Sequence, residues 1–357
     1  IDEKNNSIEL TDKGIEVIHD LKVSEREEKV NEIFADLREF HFTFNALARG
    51  TYNGHEIEDP KLEMWKEFKK ADKKRAEEVN KWLSRYKLLS KAVDDSTLPY
   101  IIQVFDSLIQ ERTDYDEGIL CLQTLESFLV RRNVLGEGRK GLDLFRGLWS
   151  NSPGVSNYDR LIAKVKADSD ASFISDKDFR DFIEGKRGGS DKGVYGRPIA
   201  RYVVWHYDLL FTAEDEEPLP SEKITMDHVI PRGIQGREGK VDLPELALWG
   251  KEWDVKSYLL WKDKWANLIP LSAKLNAKKG AKDFSAAKKL FKRDKKTKFI
   301  TANQVFTDNK YGEWAPDDVL QRAKDIADKA IIRWPLPRSV NVLDIGMYEN
   351  PPEWESD

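Results

Sequence analysis

A chain of 357 residues, 40% hydrophobic and with eleven Trp, has the apolar mass for two or three domain cores. Its net charge of −5 excludes a uniformly basic nucleic-acid binder. The single Cys121 excludes an intrachain disulfide and a cysteine-based zinc site, which fits a reducing cytoplasm.

Residues 9–93 read as helices. Ile15, Ile18 and Leu21, then Val30, Ile33, Phe34 and Leu37, recur at helical spacing. Asn45 to Pro60, with Gly50 and Gly54, reads as a loop. Lys61 to Leu89 then reads as one long charged helix with Trp65, Phe68, Val79, Trp82 and Leu83 as its apolar stripe. His19, His41 and His55 have no acidic or cysteine partners at ligand spacing and read as structural or surface residues.

Ser96 and Thr97 before Pro99 signal a helix start, and Ile101, Val104, Phe105, Leu108 and Ile109 form one face behind it. Leu120 to Val134 repeats the pattern through Leu122, Leu125, Phe128 and Leu129. Arg131 and Arg132 close this helix before Gly136, where basic residues suit the negative end of the dipole; a capping or salt-bridging role outweighs contact with phosphate. Ser175-Asp176-Lys177-Asp178 opens a short helix through Ile183. Gly185 to Gly196 is Gly-rich and basic without a phosphate-cradling pattern, so it reads as a loop. Ile199 to Phe211 is an apolar helix that carries His206 as a core residue, and Ala213 to Pro220 is an acidic linker.

The chemistry concentrates between Ile224 and Gly280. Asp227-His228 lies in Ile224-Thr225-Met226-Asp227-His228-Val229-Ile230-Pro231. Asn267 opens Leu268-Ile269-Pro270-Leu271, a short apolar strand that turns into a helix bearing Asn276. Hydrolysis of a phosphodiester with one metal ion needs hard oxygen ligands, a base that is neutral near pH 7, and a group that holds the imidazole. It also needs positive charge near the phosphates. From Lys262 to Lys298 there are 13 Lys and Arg against 3 Asp and Glu, so a segment of +10 sits on a remainder of −15. Lys282 to Arg293 reads as a helix with Phe284, Ala287, Leu290 and Phe291 inward and Lys288, Lys289, Lys292 and Arg293 outward. Ala315-Pro316-Asp317 starts a last helix, and the tail from Pro335 is Pro-rich and acidic.

At these residues the sequence resembles the HNH, or ββα-metal, endonucleases, and more closely the HNH domain at the C-terminus of GmrSD-type, modification-dependent restriction proteins. The resemblance rests on His228-Val229-Ile230-Pro231, Asn267-Leu268-Ile269-Pro270-Leu271, Asn276, Phe284, Trp314, Arg322 and Trp334-Pro335. Leu129-Val130-Arg131-Arg132, followed by Gly141-Leu142 and Phe145, is similar to the helical region before that domain. Ala266 stands where the family usually has Gly, and Pro270 interrupts the apolar run. By resemblance His228 is the general base, Asn267 orients it, and Asp227 and Asn276 bind the metal, Mg²⁺ in the first instance with Mn²⁺ also suited. The family's N-terminal, nucleotide-binding sensor domain carries a DGQQR-like motif. This sequence lacks one and opens on Ile1 rather than Met, which fits a fragment of a longer protein or a trimmed chain; as the C-terminal portion of such a protein it would be without the sensor.

The expected fold is mainly α with a small α+β insertion, a helical body carrying a ββα-metal unit. Its divisions are a helical domain over 1–212, the nuclease unit over 213–300, and a C-terminal helix and tail over 301–357 that pack back on the body. The expected function is metal-dependent DNA cleavage in restriction or antiviral defence, in the cytoplasm. Lys278, Lys279, Lys282, Lys288 and Lys289 are expected to hold DNA phosphates. The alternatives are a helical DNA-binding or sensor module that does not cut, and an RNase using the same site. No run of ~18 apolar residues exists for a membrane span, and nothing at the N-terminus has the form of a signal peptide.

Overall fold

A computed structural model describes residues 40–52, 60–138, 145, 158–167, 172–186, 193–211, 224–236, 239–293 and 298–337. The helical periodicity before residue 40, His19, His55, the acidic linker and the tail beyond Pro337 lie outside the described residues. The described part is mostly helical with one two-stranded antiparallel sheet. Its contacts divide the chain into Ile1–Ser84 and Arg85–Asp357.

In the first unit residues 40–49 are helical, so the loop expected from Asn45 does not begin before Gly50; the next described elements are α1 (Pro60–Ala71) and α2 (Lys73–Leu89), the latter running on past the boundary. The single helix expected from Lys61 to Leu89 is interrupted at Asp72. Its carboxylate accepts the Arg75 N–H at 3.0 Å, as an N-cap does, and so starts a new helix inside a continuous apolar stripe. The core is an aromatic column: Phe42 stacks on Tyr52 at 5.4 Å, Tyr52 meets Trp65 in a tilted pair at 4.7 Å, and Trp65 stacks on Phe68 at 5.7 Å. His41 is exposed and hydrogen-bonds its helical neighbour Asn45, as a surface histidine would.

The second unit is built on α3 (Leu98–Ile109) and α4 (Tyr115–Leu135). Pro99 stands in the first turn of α3, and Ile101, Val104, Phe105, Leu108 and Ile109 are all buried. Asp114 caps α4 by accepting from the Asp116 and Glu117 N–H groups, and Gly136 closes it with φ of 85°. After α5 (Tyr158–Ala167), α6 (Asp176–Ile183) begins at Ser175, whose hydroxyl accepts the Asp178 N–H at 3.0 Å. Then follow α7 (Ile199–Leu209), strand β1 (Ile224–His228), the short helices α8 (Leu243–Ala247) and α9 (Val255–Trp261), and strand β2 (Leu268–Ser272). The chain continues with α10 (Ala273–Lys279), α11 (Phe284–Arg293), α12 (Ile300–Phe306) and α13 (Pro316–Arg333).

Buried charge ties the C-terminal helix to this body. Glu126 of α4 is fully buried and accepts from both Arg333 terminal nitrogens, at 3.0 and 2.7 Å, and from the Trp334 indole at 3.1 Å. Arg131, also fully buried, donates to the carbonyls of Trp334 at 2.7 Å and Ile174 at 2.8 Å. Arg131 and Arg132 are therefore internal struts, 0% and 2% exposed, and neither presents a guanidinium to a phosphate. His206 is buried among Tyr202 and Trp205, the core position read from the sequence.

Candidate active site

β1 and β2 pair antiparallel in the register Ile224–Ser272, Thr225–Leu271, Met226–Pro270, Asp227–Ile269 and His228–Leu268. Ser272 ends the sheet and starts the next helix at once: its hydroxyl accepts the Leu275 N–H, so strand turns into α10 without a loop. α10 packs on both strands. The order is strand, long excursion, strand, helix, with Asp227 and His228 at the end of the first strand and Asn276 on the helix.

Asn276 donates to the Thr225 hydroxyl at 3.2 Å. Thr225 and Asp227 are two apart on β1 and project from the same face. The amide of Asn276 is thus held against the strand face that carries the Asp227 carboxylate. Asp227 accepts the His228 N–H through Oδ1 at 2.8 Å. Its Oδ2 is buried without a well-aligned hydrogen bond and lies 3.0 Å from Lys279 Nζ. The Asp227 carboxylate and the Asn276 amide carry the hard oxygens a divalent cation takes, and the Lys279 ammonium already stands against Asp227 Oδ2. Among the described residues no three His, Cys, Asp or Glu side chains converge on a metal centre.

Lys279 departs from its expected place on a DNA-facing track. It is 0% exposed, donates to the His228 carbonyl at 2.6 Å and faces Asp227. The cause is helical spacing: Asn276 and Lys279 are three apart and share the face turned to β1. Burial pushes the Lys279 ammonium below its usual range, opposed by the Asp227 charge. Lys288 is also engaged locally, with its ammonium at Asn309 (2.8 Å) and Glu313 (3.0 Å) and over the Phe284 ring. Lys278, Lys282 and Lys289 are exposed.

Asn267 is fully buried, and its side chain is spent on backbone. Oδ1 accepts the Ile230 N–H at 2.9 Å; Nδ2 donates to the carbonyls of Ile230 and Lys262, each at 3.0 Å. Its own carbonyl accepts the Val229 N–H at 2.8 Å. Asn267 therefore fixes the two residues that follow His228 and closes the excursion from Ile230 to Lys262. It does not hydrogen-bond the imidazole. Arg322 of α13 fixes Asn267 in turn, donating to the carbonyls on either side of it, Ala266 and Leu268, the latter at 3.0 Å.

The His228 ring has other neighbours. Nε2 lies 3.6 Å from Asp263 Oδ1, and the Tyr195 ring meets the imidazole edge-on at 4.2 Å. Arg232 lies 3.3 Å from the same Asp263 oxygen and rests over the Tyr195 face at 5.1 Å. Tyr195 is held by its N–H, which donates to the Asp263 carbonyl at 3.1 Å. Burial tends to raise the Asp263 carboxyl; the contact with His228 and the charges of Arg232 and Lys262 outweigh it and hold the group below the usual carboxylate range. Asp263, Tyr195 and Arg232 do not stand out in the sequence. Asp263 hides in the basic run Lys262-Asp263-Lys264, and the one signal near Tyr195 is its Gly193-x-Tyr195-Gly196 setting.

Residues 173–329 match the family model described as the C-terminal domain of GmrSD restriction endonucleases. The matched stretch contains β1, β2, α10 and most of α13, and every residue of the cluster around His228. No curated protein and no solved structure matches the chain. Among the described residues no helix is long and apolar enough to cross a membrane.

Proposed function

We propose that the stretch similar to the GmrSD-type C-terminal domain is a DNA endonuclease of the HNH type, with His228 as the general base and Asp227 and Asn276 as the protein ligands of one divalent ion. The observation that carries the reading is the Asn276–Thr225 hydrogen bond, which sets an amide from the helix against the strand face of Asp227, the residue that precedes His228 in β1. A carboxylate, an amide and an imidazole on one strand–strand–helix unit are the kit that phosphodiester hydrolysis requires.

In this reading His228 takes a proton from water, whose oxygen bonds to phosphorus as the bond to the leaving oxygen breaks. Asp227 and Asn276 would hold the ion, which would supply positive charge for that leaving oxygen; Mg²⁺ suits two protein ligands because it keeps several waters. Asn267 acts on the base through backbone: by pinning Val229 and Ile230 it fixes where the strand end places His228. Lys279 holds the His228 carbonyl and lies against Asp227, so strand and helix keep one register at the site. Exposed Lys278, Lys282 and Lys289 supply the charge for neighbouring phosphates. Service in defence against foreign DNA follows from the family's description as restriction endonucleases.

The test is incubation of plasmid DNA and of structured RNA with the protein in Mg²⁺, in Mn²⁺ and in EDTA, for wild type and His228→Ala. Metal-dependent DNA cutting that falls ~10²–10⁴-fold in the variant is expected. Binding without cutting in any metal defeats the enzyme reading in favour of a DNA-binding module, and cleavage of RNA alone makes the site that of an RNase.

A further inference from the structure

We propose that Asp263 is the positioning residue of the His228 base: it accepts the Nε2 proton of the imidazole and leaves Nδ1 as the nitrogen that takes a proton from water. The proposal deepens the nuclease reading and rests on it for the word base. The contact itself is argued from geometry alone.

His228 Nε2 and Asp263 Oδ1 are both buried atoms that lack a hydrogen bond, and they face each other at 3.6 Å. Buried polar atoms are nearly always satisfied, so two orphans opposite one another form an arrangement with one sensible solution. A neutral imidazole has one donor nitrogen and one acceptor nitrogen. An acceptor Nε2 would set a lone pair against a carboxylate oxygen. A donor Nε2 satisfies both atoms, after a shift of about half an ångström to hydrogen-bond distance. Catalytic hydrogen bonds are often long in a ligand-free protein and tighten when substrate arrives.

The surroundings are built to keep this carboxylate in place and ionised. Arg232 lies 3.3 Å from Oδ1, and Lys262 lies 3.9 Å from Oδ2. The Asp263 carbonyl takes the Tyr195 N–H, and the Tyr195 ring closes on the imidazole from the side. Gly193 lets that loop lie directly on the Asp263 backbone, since a Cβ there would come within 1.9 Å of the Asp263 carbonyl oxygen. Asn267, which the sequence suggests for this duty, has both side-chain atoms committed to the backbone at Ile230 and Lys262. The ring itself is left to Asp263. A carboxylate on the far nitrogen of a histidine fixes its tautomer and its orientation.

The experiment uses the full chain labelled with ¹⁵N, at a pH where the ring is neutral. The imidazole signals of five histidines are recorded, and those of His228 are assigned by their loss in His228→Gln. Wild type is expected to hold the Nε2–H tautomer, and Asp263→Asn, which keeps shape without charge, to lose that preference. In cleavage assays Asp263→Asn is expected to lower kcat roughly 10- to 100-fold with KM within about twofold. Asp263→Glu is expected to restore part of the loss. An Nδ1–H tautomer in wild type, or a tautomer and kcat unchanged in Asp263→Asn, overturns the proposal. The Nε2–H tautomer lost in the variant of a protein that cuts neither DNA nor RNA keeps the contact, overturns the nuclease reading and withdraws the role of base positioning with it.

Discussion

Lys279 Nζ and Asp227 Oδ2 lie 3.0 Å apart, the lysine fully buried and the aspartate side chain 14% exposed, where α10 packs on β1. The ammonium also donates to the His228 carbonyl at 2.6 Å. One side chain thus joins helix and strand at the two residues on which the proposed chemistry depends. Removing one partner of a buried pair leaves the other charge unpaired, and the usual cost is about 3–5 kcal/mol. Lys279→Met is expected to lose about 3 kcal/mol in urea unfolding, discounted because Asp227 keeps some exposure. Lys278→Ala, one position earlier and exposed, is expected to change stability by less than about 0.5 kcal/mol. Equal stability of the two variants would mean that Lys279 is not held as described.

The inward turn of Lys279 also alters the DNA-facing set. Lys278, Lys282 and Lys289 are exposed, whereas Lys279 is buried and Lys288 is engaged by Asn309 and Glu313. Phosphate contacts carry no base information, so their loss weakens all sequences alike. Each lost contact should flatten the plot of log affinity against log salt by ~0.9 for duplex DNA. The triple variant Lys278→Ala, Lys282→Ala, Lys289→Ala is expected to lower that slope by about 2.7 if all three contact phosphate. Fluorescence anisotropy with a short duplex, titrated with salt, measures it, and an unchanged slope moves the DNA path elsewhere.

The residues legible in the sequence were those whose role is local. Pro99, Ser175 and Gly136 mark helix ends by their own chemistry, and the structure uses each that way. The apolar run from Leu268 and its turn into a helix are pattern signals, and the structure has strand Leu268–Ser272 and helix Ala273–Lys279 there. Reading Lys279 as a solvent-facing residue followed the charge of the run rather than its helical phase; three positions from Asn276, it had to share the face of Asn276. α8 and α9, five and seven residues long, are too short for periodicity to register, and their caps, Asp242 and Asp254, were the only local sign. Asp263 could not be found by spacing, because only the closure of the excursion by Asn267 brings it to His228. Arg322 was recognisable as part of a pattern, but its task of holding the carbonyls beside Asn267 appears only in three dimensions.

His206 gives the body a measurable dependence on pH. Burial pushes its imidazole well below the ordinary 6.5, and the charges of Arg333 and Arg85 push the same way. The folded protein therefore keeps His206 neutral at a pH where the unfolded chain takes up a proton. Below pH 6.5 the unfolded state binds more protons than the folded one, so stability falls as pH falls, until the folded value is reached. From pH 7 to 5.5 this one group should cost about 1 kcal/mol. His206→Gln cannot titrate and is expected to lose that much less than wild type over the same interval in paired urea titrations. Parallel loss in both proteins would assign the acid sensitivity to other groups.

Gly193 tests whether the loop that carries Tyr195 matters to the histidine. A Cβ built at Gly193 would stand 1.9 Å from the Asp263 carbonyl oxygen, 2.2 Å from its carbon and 2.6 Å from Lys264 N. These are backbone atoms, so no side-chain rotation relieves the clash, and the loop or the segment before Asn267 has to move. The same loop presents the Tyr195 N–H to Asp263 and the Tyr195 ring to His228, so either movement disturbs the imidazole's surroundings. Overpacking of this kind typically costs about 1–3 kcal/mol. Gly193→Ala is therefore expected to lower stability by about 2 kcal/mol and to reduce cleavage under conditions where the protein remains folded. Gly233 lies in the adjoining turn, has no neighbour within 4 Å of an added Cβ, and serves as the control. Gly233→Ala should leave melting temperature and cleavage unchanged. If Gly193→Ala behaves like Gly233→Ala, the loop yields without strain, and the close approach of Tyr195 to His228 is not what holds the ring.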